Sequence, residues 1–103
     1  MIKYVKMDTN TINSQWSIYF TAEFYDKFHQ YYNHDGSYFN ILYRIFGILP
    51  QDFYHMAAAV YNASFILNPY YKNHILMFFK NKNDGERLCK EINTRLSYYE
   101  GRF

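Results

Sequence analysis

HILMFFKNKNDGERLCKEINTRLSYY, residues 74–99, decides the fold. Residues 74–80 are an apolar run of the length expected of a buried strand. A polar turn follows, and Asn83 or Asp84 is placed to cap a helix running to about Tyr99, with Leu88, Ile92, Leu96 and Tyr99 on its inner face. Strand, loop and amphipathic helix in that order ask for a sheet with a helix laid across one side. The same pattern occurs in ferredoxin-like split units and in many other folds, so it carries no function.

Upstream, Asn68-Pro69 and Lys72-Asn73 form a connection. Residues 61–67 read two ways: Tyr61, Ala63, Phe65 and Leu67 alternate as a strand does, while Ala57-Ala58-Ala59 favours helix. We place a strand from near Ser64. Pro50 suits the first turn of a helix over about 51–62, because the residue before it is pushed out of helical geometry. Apolar positions 38, 39, 42, 45, 46 and 49 follow the helical period over 38–49. Thr21 is a candidate N-cap for a helix over 22–33, with Phe24, Phe28, Tyr31 and Tyr32 on one face, and His34-Asp35-Gly36-Ser37 is a stop. Two short strands, 2–7 and 15–20, open the chain, with 8–14 as the turn between them. The expected product is one compact α+β domain over residues 1–103, a short, mainly antiparallel sheet of three or four strands packed with about four helices.

Thirteen tyrosines and ten phenylalanines stand against four glycines, two prolines and one cysteine in 103 residues. A buried phenol needs a hydrogen-bond partner, and thirteen are more than one small core satisfies, so some are expected at the surface. Part of the excess reflects an AT-rich genome, since residues with AT-rich codons are enriched throughout. Cys89 is alone, which excludes an internal disulfide and suits a reducing, cytoplasmic location. The opening MIKYVKMDTNTINSQW lacks the apolar stretch of a secretory signal. The longest uncharged stretch, 53–71, is interrupted by His55, Asn62, Ser64, Asn68 and Pro69, so no membrane span is expected.

Charge is unevenly spread. Residues 1–71 carry four Lys/Arg against five acids, whereas residues 72–103 carry seven against four. Tyr98 and Tyr99 lie within that C-terminal third and Tyr70 and Tyr71 directly precede it, so stacking rings and phosphate partners occur together. The candidate binding residues are Tyr70, Tyr71, Lys72, Lys80, Lys82, Arg87 and Tyr98. Against nucleic acid stands a net charge of only +2, with Asp84, Glu86 and Glu91 interrupting the basic face. Glu86 and Lys90 also have the i, i+4 spacing of an ordinary solvated helix.

Two Asp-x-x-His pairs, Asp26 with His29 and Asp52 with His55, each put a carboxylate and an imidazole on one helix face, a weak metal-site pattern that surface helix pairs explain equally well. Cys89, beside Leu88 and Ile92, reads as a small buried hydrophobe rather than a nucleophile. No Gly-rich phosphate loop, dinucleotide fingerprint, nucleophile elbow or zinc-type cysteine pair occurs, so neither enzymatic activity nor a cofactor is expected. The leading expectation is a small protein-binding module that occupies a partner surface stoichiometrically, with tyrosines as anchors and Lys/Arg as orienting groups. Inhibitors from phages and mobile elements, including anti-defence proteins such as anti-CRISPRs, are of that class. The partner is expected to be a host or other protein. The alternatives are nucleic-acid binding by the C-terminal third, a metal-dependent enzyme on the Asp-x-x-His pairs, and a homodimer that covers surplus aromatic surface.

Overall fold

A computed structural model describes residues 3–10, 14–28, 39–67 and 75–99. The elements run β1 (Val5–Thr9), β2 (Trp16–Phe20), α1 (Ala22–Phe28), α2 (Phe39–Phe46), α3 (Pro50–Tyr61), β3 (Ser64–Leu67), β4 (Ile75–Phe79) and α4 (Lys82–Tyr99). Among the described residues the strands form one sheet in the order β1-β2-β4-β3, with every neighbouring pair antiparallel. The protein is thus a small α+β fold, with four helices and a four-stranded sheet among the described residues, as the sequence predicts.

The deciding stretch builds the centre of the molecule. Alternation along β4 buries Met77 and Phe79, and the register Trp16↔Phe79 brings Val5, Met7, Ile18 and Phe20 into the same core. Across this face lies α4, whose Leu88, Ile92 and Leu96 are fully buried. Its first turn approaches closely because position 85 is glycine. A Cβ there would run into the Met7 side-chain tip and come within 3.0 Å of the Phe79 ring.

A buried polar clasp ties the same helix to β1. Asn93 Oδ1 accepts the backbone N–H groups of Tyr4 (2.7 Å) and Val5 (2.9 Å), and Nδ2 donates to the Val5 carbonyl (3.1 Å). One amide thereby satisfies backbone groups at the sheet edge that would otherwise be buried unpaired. Aromatic packing completes the core. Phe24 and Phe28 of α1 meet Phe20 and Tyr4, while Phe53 of α3 lies edge-on to Tyr43 and Phe46 of α2. A 2.7 Å hydrogen bond joins the Tyr43 and Tyr54 hydroxyls across α2 and α3.

Several boundaries differ from expectation. β1 runs on through Asp8 and Thr9, which the sequence assigns to a turn, because both pair with β2 while exposing their side chains. Helix α2 stops at Phe46, since Gly47 takes φ 66° and Ile48 N–H donates back to the Tyr43 carbonyl. The α4 cap is Asn81 rather than Asn83 or Asp84, its side chain accepting the Asn83 N–H at 3.0 Å. Thr21 does accept the Phe24 N–H of α1, at 3.4 Å. Residues 29–38, including the end of the helix expected over 22–33, lie outside the described residues.

Candidate functional site

Of the predicted binding residues, Lys80, Lys82, Arg87 and Tyr98 lie among the described residues. Lys80 follows the end of β4, and Lys82 opens α4. Tyr70, Tyr71 and Lys72 lie outside the described residues. Tyr98 is 61% exposed on the last turn of α4, with its ring edge-on to Tyr99 at 5.3 Å.

Arg87 is exposed, yet its guanidinium is engaged by the fold itself. Its Nη2 donates to the Val60 carbonyl (2.9 Å) and to Asp84 (3.2 Å), and the guanidinium lies 5.1 Å from the Tyr61 ring centre. Val60 is in the last turn of α3, where carbonyls lack helical partners and the helix dipole favours a cation. Arg95 repeats the device on α2. It donates to the Ile45 carbonyl (3.1 Å), pairs with Glu91 (2.7 Å) and covers the Phe46 ring at 4.4 Å. Two of the basic residues that gave the C-terminal third its charge therefore close helix ends. Lys82 is also partnered, 4.9 Å above the Trp16 ring and 3.6 Å from Glu86. The Glu86 partner is thus Lys82, not Lys90.

Of the metal candidates, Asp52 and His55 are exposed on α3, Asp26 is exposed on α1, and His29 lies outside the described residues. Among the described residues no group of three or more His, Cys, Asp or Glu gathers as ligands. Cys89 is buried, and burial, reinforced by the charge of Glu86 and opposed by Lys3, pushes its thiol up to about 12. It is protonated at neutral pH and so a poor nucleophile there. Among the described residues no helix is long and apolar enough to cross a membrane.

Two surfaces escaped the sequence reading. The first is the outer edge of β3, the last strand of the sheet among the described residues, where Ile66 is 38% and Leu67 72% exposed and Val60, just upstream, is 52% exposed. Its signal was present: Ser64–Leu67 contains no charge and no proline, the usual protections of an edge strand. The second is a groove where Lys3 and Lys6 face Lys82 and Lys90. No local pattern reveals it, because its lysines come from opposite ends of the chain. Compared with family models, curated proteins and solved structures, the chain matches none.

Proposed function

We propose that the protein is a non-enzymatic binding module that occupies a partner protein stoichiometrically, taking an extended segment of that partner along the open edge of β3. The observation that carries this reading is a terminal strand, unprotected by charge or proline, whose apolar side chains stay exposed. Such an edge offers a row of backbone donors and acceptors, and a strand added there gains main-chain hydrogen bonds while alternate side chains set specificity. Because β3 is neutral, the complementary segment is apolar and uncharged. Tyr70 and Tyr71, which follow β3 in the chain, are the aromatic anchors this reading assigns to the same partner. Inhibitors of the anti-defence kind work by this sort of occupation.

The test combines capture with a backbone readout. Partner captured from host extract by the tagged protein is expected to be lost with Ile66→Lys and Leu67→Lys, while circular dichroism shows the fold intact. The β3 amides are expected to become protected from hydrogen exchange in the purified complex. Capture that survives both substitutions, or β3 amides that exchange equally in the complex, overturns the reading. Light scattering showing a dimer that Leu67→Lys dissolves would replace the foreign partner with a second copy.

A further inference from the structure

Independently of the β3 edge, we propose that the groove between β1 and α4, at the opposite side of the sheet, binds phosphate-bearing anions. It is an open groove of about 460 Å³ whose described lining holds four lysines, Lys3, Lys6, Lys82 and Lys90, and one acid, Glu86. These described lining residues carry a net +3 while the whole chain carries +2, so the rest of the chain is net −1 and positive field is concentrated in this groove.

The contrast with the arginines is chemical. Arg87 and Arg95 close helix ends, and Glu86 pairs with Lys82, whereas Lys3, Lys6 and Lys90 make no ion pair with a described residue. Three unpaired like charges facing one groove repel each other, and a multiply charged anion relieves that repulsion. An ammonium is a compact charge with three donors, suited to phosphate oxygens without the fixed fork that carboxylate recognition uses. Among the described residues no aromatic ring lines the groove, and Val5, Met7 and Cys89 supply apolar surface. It therefore has no stacking platform for a base and reads phosphate instead. The volume suits a ligand of nucleotide size. A free polyphosphate and a nucleic-acid backbone both present this chemistry.

Trp16, the sole tryptophan, lies under Lys82, so its fluorescence reports any ligand that draws the ammonium off the ring. Titration with tripolyphosphate at low salt is expected to change Trp16 emission saturably. Lys3→Ala and Lys90→Ala are each expected to weaken binding about tenfold, the loss of one charge-assisted contact. Glu86→Gln is expected to tighten it. A parallel titration with an oligothymidylate distinguishes the sources: tighter binding per phosphate than tripolyphosphate assigns the groove to a nucleic-acid backbone, and weaker binding assigns it to small polyphosphates. Unfolding midpoints of the variants keep loss of binding separate from loss of fold. The proposal is overturned if neither probe binds at low salt, or if binding ignores the lysine substitutions and Glu86→Gln.

Discussion

Asparagine is a poor helix former because its amide competes for backbone groups, yet Asn93 stands in the middle of α4 and is only 8% exposed. What holds it there is the three-bond clasp on Tyr4 and Val5. Asn93→Leu keeps the branched heavy-atom shape of the side chain but removes the acceptor and donor that serve two buried N–H groups and a carbonyl, at about 1 kcal/mol or more each. A total loss of about 3 kcal/mol is expected in urea unfolding. Thr94→Ala, one residue on at an exposed position, is expected to cost less than about 0.5 kcal/mol. A similar cost for both would mean that the helix, and not the clasp, carries the effect. The neighbours of Asn93 were legible in sequence, since Leu88, Ile92 and Leu96 repeat at helical spacing and Cys89 beside them reads as buried. Asn93 was not, because a polar residue on an amphipathic helix reads as solvated unless its partner, 88 residues away in Val5, is known.

At the scale of elements, α4 acts as the spine against which two shorter helices end. Arg87 and Arg95 are eight residues apart, about 12 Å along the axis, and each meets the C-terminus of a different helix. Replacing Arg95 with alanine removes a carbonyl partner, a dipole-favourable charge and the cover over Phe46. A loss of about 1–2 kcal/mol is expected. Arg95→Lys is expected to recover only part of it, because a single ammonium lacks the planar fork that reaches carbonyl, carboxylate and ring together. At this separation Arg87→Ala and Arg95→Ala should add within about 0.5 kcal/mol in denaturant unfolding. Strong non-additivity would show that α2 and α3 dock as one unit. The helices and β4 were legible because α1, α2 and α4 carry a helical period, Pro50 marks the start of α3, and residues 74–80 are an apolar run of strand length. β1 was misplaced because an exposed edge strand needs little apolar patterning, and Asp8 and Thr9 look like a turn. The arginines' roles were hidden because charge counted along the chain ignores which carbonyls the fold brings within reach.

At the scale of the whole molecule, burial gathers titratable groups whose protonated forms the fold prefers. Burial, with the nearby charge of Glu86 and against that of Lys3, lifts the Cys89 thiol from its ordinary 9.0 to about 12. Burial and the hydrogen bond with Tyr54 lift the Tyr43 phenol above its ordinary 10.0. Burial, with the charge of Asp8 and against a hydrogen bond from Asn10, lifts Tyr19 in the same direction. Each group keeps in the folded state a proton that the unfolded chain releases. Its contribution is therefore fully present below the unfolded value and is lost as pH rises toward the folded one. Stability is expected to decline from about pH 9 upward, first through Cys89 and then through the two tyrosines. Urea midpoints measured from about pH 8 to about pH 11 read this directly. Cys89→Ala is expected to flatten the early part of the decline and Tyr43→Phe the later part, whatever each costs at neutral pH. A midpoint that holds level or rises across this range would show that the fold does not favour these protons.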